Sequence, residues 1–138
     1  MSLKKTLASL AIGLISPLLL ASAHASDFLV STDWLEKNLK EKNLRIIEVS
    51  VDPGVYERGH IPEAVNFSWH TDLVDPVTRD IASRENFQKL LRNAGVNKDS
   101  TIVLYGDNNN WFAAWGAWVF DIYGVNNVKL LDGGRKKW

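Results

Sequence analysis

The sequence predicts an α/β fold: a mostly parallel sheet covered by helices on both faces. Three features carry that expectation. Residues 44–51 and 101–105 are apolar and β-branched almost throughout instead of alternating, as strands buried on both faces are. Helical periodicities over 83–93 and 111–123 separate the strand-like runs. The chain's 138 residues, 46% hydrophobic and 23% charged, suit one globular domain.

Taken in order, residues 28–31 form a short strand, and Ser31 or Thr32 caps a helix over 33–39 that carries Asp33 and Glu36 near its positive end. The strand over 44–51 is stopped by Asp52-Pro53-Gly54, a turn in which Pro fixes φ and Gly supplies the left-handed step. Residues 64–67 make another short strand. In the helix over 83–93, Phe87, Leu90 and Leu91 form the apolar stripe, and Gly95 ends it. The buried strand over 101–105 runs into a polar turn, Gly106 to Asn110, and then the helix over 111–123. A last strand covers 128–131, and Arg135-Lys136-Lys137-Trp138 looks like the first turn of another helix. There is no internal repeat, low-complexity tract or long linker.

Residues 1–25 read as an export leader. Lys4 and Lys5 precede an apolar run over 6–20, and Ala23 and Ala25 place small residues where a signal peptidase cuts. The run is shorter than the ~20 residues a bilayer span needs, and Gly13 and Pro17 interrupt it. Cleavage after Ala25 and an exported, periplasmic product without a stable membrane anchor are expected. Sixteen basic and sixteen acidic residues balance, so no nucleic-acid partner is expected. Removing the leader takes two cations and no acid. The chain has no cysteine, which excludes disulfides, thiolate metal sites and every cysteine-nucleophile mechanism on these residues.

In open α/β sheets ligands bind beyond the carboxyl ends of strands, so chemistry would sit at the junction of residues 101–111. Around it, Glu57-Arg58-Gly59-His60-Ile61-Pro62-Glu63-Ala64-Val65-Asn66 and Leu131-Asp132-Gly133-Gly134-Arg135-Lys136-Lys137-Trp138 resemble the two end signatures of the rhodanese (thiosulfate sulfurtransferase) domain. Ile46-Ile47-Glu48-Val49-Ser50 resembles its strand that ends in an acid followed by Val-Arg, with Glu and Ser as departures. The resemblance runs from about Phe28 to Trp138 and implies a three-layer sandwich around a sheet of about five strands.

The family's catalysis uses a cysteine directly after the central strand, which takes a sulfane sulfur as a persulfide and passes it to a thiophilic acceptor. Here Gly106 stands at that position, and the usual loop arginine is missing. The loop Gly106, Asp107, Asn108, Asn109 and Asn110 is therefore expected to be vestigial, with no catalytic residue. It resembles the inactive N-terminal domain of tandem-domain sulfurtransferases. That likeness implies a rhodanese-like domain over 26–138 that lacks its C-terminal end and whose partner, a catalytic domain, follows in the full-length chain. No cofactor is implied.

Other residues invite weaker readings. His60 and Glu63 could form an acid–base pair, but a turn held by side-chain hydrogen bonds is the expectation. His70, Asp72 and Asp75 match no ligand spacing, so solvated loop residues and no metal site are expected. Gly133-Gly134 lacks a phosphate-loop pattern. Asn108 to Asn110 suit a helix cap and left-handed backbone. Trp111, Trp115, Trp118 and Ile122 share one face of a helix that is apolar nearly all round. Either that helix sinks between the sheet and its neighbours, or the tryptophans dock a second domain. Three functions stay open: a non-catalytic half of an exported sulfurtransferase, a free-standing secreted binding module using the Gly106–Asn110 loop, and an enzyme of another type built on His60 or His70.

Overall fold

The computed structural model describes residues 27–138; the leader expected over 1–25 lies outside the described residues. β1 (Leu29–Val30) leads into α1 (Thr32–Asn38), whose cap is Ser31: its hydroxyl accepts from the Trp34 N–H at 3.1 Å, with Asp33 in the first turn. β2 (Leu44–Ser50) and β3 (Val65–Ser68) follow. α2 (Arg84–Asn93) is capped by Ser83, which accepts from the Asn86 N–H at 3.2 Å. β4 (Thr101–Gly106), α3 (Trp111–Ile122), β5 (Val128–Leu131) and a short α4 (Gly134–Lys137) complete the chain.

The strands form one sheet in the order β1-β5-β4-β2-β3, and every ladder is parallel. The expected α/β class and its helices on both faces are borne out. Side chains of β2 and β4 alternate between two apolar layers. Ile47, Val49, Ile102 and Leu104 pack with Phe87 of α2 and with Ala113 and Phe120 of α3. Leu44, Ile46, Val103 and Tyr105 pack under Leu35 of α1 and Ile61 of the connection that follows β2. This two-sided burial is why both strands read as continuous apolar runs.

Two local features differ from the sequence reading. A π-helical stretch, Trp69–Leu73, and an antiparallel bridge between Val74 and Ile81 fill a segment expected to be loop. The Asp72 carboxylate accepts from the Ser68 N–H at 2.8 Å and folds the chain back there, a side-chain clamp that leaves no periodic signal. Gly106, expected to open the loop, is instead the last residue of β4 and pairs with Val49.

From β2 the chain turns to β3 on one side of the sheet, and from β4 to β5 on the other. The order reverses between β2 and β4, which puts the switch-point crevice beyond Ser50 and Gly106.

Candidate functional site

The crevice is built from three connections. After β4, Asn108, Asn109 and Asn110 all take positive φ, at 49°, 54° and 64°, a short left-handed turn that asparagine tolerates better than most residues. The left-handed backbone expected of them is borne out; the capping is not, because no side chain here caps α3. Asn110 is buried and does different work. Its Oδ1 accepts from the Gly106 N–H at 2.9 Å while its Nδ2 donates to the Leu131 carbonyl at 2.7 Å, so one amide ties the ends of β4 and β5. Gly134, at φ 56°, lies against that amide, and a Cβ there would collide with Oδ1.

Asp107 faces the other strand. Its carboxylate accepts from the backbone N–H groups of Val51 (3.2 and 3.3 Å) and Asp52 (2.9 Å), the amides freed at the end of β2. These two amides, donors that could otherwise receive an anionic ligand, are thus taken by the chain's own acid. Gly106 is equally committed. A Cβ on it would lie inside 3.0 Å of the Val49 carbonyl oxygen and 3.3 Å from its carbon, a backbone contact that no rotamer relieves. What remains open is a crevice of about 390 Å³ between Gly106–Asn109 and Gly133, Arg135 and Lys136. A groove of about 430 Å³ lies at the opposite, amino-terminal end of the strands, beside Arg92 and Val125, away from the switch point.

Beneath the crevice is a buried ionic network that the sequence reading missed. Glu48, in the middle of β2, is 0% exposed. The Tyr105 hydroxyl donates to its Oε2 at 2.5 Å, and Nη1 of Arg135 donates to Oε1 and Oε2 at 3.1 and 3.0 Å. Nη2 of Arg135 continues to the Val55 carbonyl at 2.8 Å, and the Tyr105 oxygen accepts from the Ile61 N–H at 3.0 Å. Burial pushes the Glu48 carboxyl above the usual range, outweighing the Tyr105 hydrogen bond and the Arg135 charge that pull it down. Burial and the bond to Glu48 also push the Tyr105 phenol well up, so it stays a donor. An acid within an otherwise apolar strand was the signal available, since a charge there demands a partner.

The other sequence candidates disperse. His60 stacks on Tyr56 with centroids 3.7 Å apart and bonds through Nδ1 to the Tyr56 carbonyl at 3.0 Å; Glu63, at φ 67°, serves the turn. The two make no acid–base pair, as expected of a turn. Asp72 and Asp75 bind amides of their own loops, Asp75 accepting from Val77 and Thr78 at 2.8 Å each, and neither converges with His70. On α3 the tryptophans part company. Trp115 is half-buried against Trp69, with centroids 5.7 Å apart, whereas Trp111 and Trp118 are 77% and 53% exposed. The opposite face, with Ala113, Gly116 and Phe120, is buried on the sheet.

Comparison with known proteins agrees with this architecture. The sequence pattern of the rhodanese-like domain matches residues 31–138. A protein of Mycolicibacterium smegmatis named "Putative thiosulfate sulfurtransferase" is 54% identical over 113 residues, covering 82% of this chain and 41% of its own. One of the same name from Saccharopolyspora erythraea is 52% identical over 112 residues, covering 81% and 40%. The chain therefore spans about two fifths of the length of these curated relatives. SseA from Escherichia coli, whose structure is described as having the rhodanese fold in a study of 3-mercaptopyruvate sulfotransferases, superposes with a TM-score of 0.71 at 29% identity, over 80% of this chain and 47% of that one. With its all-parallel sheet, its two end signatures meeting over Glu48 and these matches, the chain belongs to the rhodanese-like domain family.

Proposed function

We propose that this chain is the non-catalytic rhodanese-like domain of an exported thiosulfate sulfurtransferase, and that a second rhodanese domain in the longer protein carries the catalytic cysteine. In that domain sulfane sulfur from thiosulfate or a mercapto acid would form a cysteine persulfide and pass on to a thiophilic acceptor. This domain supports the cleft without entering the chemistry.

The observation that carries the reading is the state of position 106. The chain has no cysteine, Gly106 has no room for a Cβ against the Val49 carbonyl, and Asp107 fills the neighbouring amides with a carboxylate where an anionic persulfide needs positive potential. The length of the relatives supports the tandem arrangement, and the leader-like residues 1–25 support export.

The test is the intact mass and activity of the native product in a periplasmic extract. A product of about twice the 15.5 kDa of this chain or more, turning over thiosulfate and cyanide, is the expected result. A product no larger than this chain would overturn the tandem reading, and thiocyanate formed by such a product would overturn the non-catalytic assignment as well.

A further inference from the structure

The groove at the amino-terminal end of the strands has a built apolar floor and a set of unengaged donors. Its floor comes from two matching helix ends. α2 stops at Gly95 (φ 69°), whose N–H donates to the Arg92 carbonyl at 3.0 Å, while the Val96 N–H reaches back to the Leu91 carbonyl at 2.9 Å. α3 stops in the same way at Gly124 (φ 76°), with bonds from Gly124 to Asp121 and from Val125 to Phe120 at 2.9 Å each. Each closure folds a valine back over its helix end, and Val96, Val125 and Leu91 lie half-buried against the core. The groove of about 430 Å³ runs between the two ends, and Ser100, just ahead of β4, lines it as well. Ser100 is 3% exposed; its Oγ accepts from the Asn97 N–H at 2.9 Å, and its own proton has no acceptor among the described residues. Arg92 is the one arginine among the described residues whose side chain makes no hydrogen bond, ion pair or ring contact: Arg45, Arg58 and Arg135 donate to carbonyls, and Arg79 and Arg84 lie over aromatic rings. The Lys98 ammonium, also on the lining, is unpaired among the described residues, and no carboxylate lines the groove.

We propose that this groove binds a small amphiphilic anion, an aliphatic body carrying a carboxylate, with the body on Leu91, Val96 and Val125 and the carboxylate taken by Arg92, Lys98 and the Ser100 hydroxyl. Clefts of this volume with an apolar floor and a few convergent polar groups are the usual form of small-molecule sites. The lining selects the sign of the ligand. Two cations with no acid beside them attract an anion and repel an aliphatic amine, while a floor of leucine and valine without an aromatic ring suits an alkyl chain. The buried Ser100 hydroxyl adds a donor whose proton a carboxylate oxygen would satisfy. The groove lies at the far end of the strands from position 106, so its occupant is independent of any sulfur chemistry in the longer protein.

The experiment is a calorimetric titration of the native product with decanoate, paired with amide hydrogen exchange read by mass spectrometry. Saturable binding below about 1 mM, with exchange slowed in 88–100 and 124–127, is the expected result. Arg92→Gln with Lys98→Gln should weaken binding by about tenfold without moving the urea melt, because both side chains are exposed. Decylamine, with the same body and the opposite charge, should leave both segments unprotected. Absence of saturable binding, protection confined to other segments, a double variant that binds as wild type does, or decylamine binding as well as decanoate would each overturn the inference. Binding to phosphatidylglycerol vesicles in place of free decanoate would assign the groove to a membrane surface and overturn it too. None of these results depends on the mass of the product or on thiocyanate formation, so the tandem reading stands or falls separately.

Discussion

Replacing Gly106 with cysteine puts the family's nucleophile back where the resemblance places it, and the structure says why this fails. The new Cβ would stand inside 3.0 Å of the Val49 carbonyl oxygen, closer than real Cβ atoms approach. That oxygen belongs to the backbone of a central strand whose residue is fully buried, so the β2–β4 ladder itself must part. Overpacking of this kind costs about 1–3 kcal/mol, and a rigid backbone neighbour argues for the upper part of that range. The thiol would also adjoin Asp107, whose carboxylate disfavours the thiolate. A cysteine at or above its ordinary pKa of about 8.5 is only a few per cent ionised at neutral pH. Gly106→Cys and Gly106→Ala should therefore lose similar stability in urea melts, and Gly106→Cys should form no thiocyanate from thiosulfate and cyanide above the wild-type background. Turnover on the scale of an active rhodanese, or a Gly106→Cys variant as stable as wild type, would refute the reasoning.

The remaining predictions concern the network and loop. Arg135→Met leaves the buried Glu48 carboxylate with Tyr105 as its remaining side-chain donor and should cost about 3–5 kcal/mol in denaturant titrations, the penalty of breaking one side of a buried ion pair; a loss below about 1 kcal/mol would make the pair ornamental. Because burial raises the folded-state pKa of Glu48 above its ordinary 4.5, its contribution is fully present below that value and is lost as pH rises through the folded value. Wild type should thus lose stability relative to Glu48→Gln as pH increases from about 4.5, and a relative gain over that window contradicts the assignment. Asn110→Ala strands the Gly106 N–H and the Leu131 carbonyl and puts alanine at φ 64°, so about 2–4 kcal/mol should be lost, with faster amide exchange concentrated in 106–111 and 131–135. Uniform exchange across the domain would show that Asn110 does not tie β4 to β5.

Strand and helix identities were legible because the periodicities differ: β2 and β4 are buried on both faces, and α2 keeps an apolar stripe. Ser31 and Ser83 marked two helix starts through ordinary capping chemistry. The π-helical turn at Trp69–Leu73 was illegible because one Asp72 bond to the Ser68 amide determines it, a contact with no repeating pattern. At the candidate site, the absence of cysteine was plain from composition, but the role of each loop residue was not. Asn108, Asn109 and Asn110 look alike in sequence, and only the position of the β5 end distinguishes Asn110, which is buried, from its two exposed neighbours. Glu48 and Arg135 lie 87 residues apart, so their pairing belongs to the topology, although a lone acid in an apolar strand announced that some partner must exist.

The same network explains why a chain without cysteine still carries both signatures of the rhodanese-like family. Ile61, from the first signature, donates its amide to Tyr105; Arg135, from the second, donates to Glu48; Tyr105 joins the two through one hydroxyl. Tyr56, just ahead of the first signature, adds a bond from its hydroxyl to the Ala64 carbonyl at 2.6 Å. These contacts close the carboxyl end of the sheet around a buried charge, and none of them involves the side chain at position 106. Removing any one leaves a buried polar group unpaired, a cost the domain bears whether or not it performs chemistry. The signatures therefore report the fold, and they do so independently of what stands at position 106. In this chain the fold-building contacts are complete while position 106 holds a glycine with no room for a side chain.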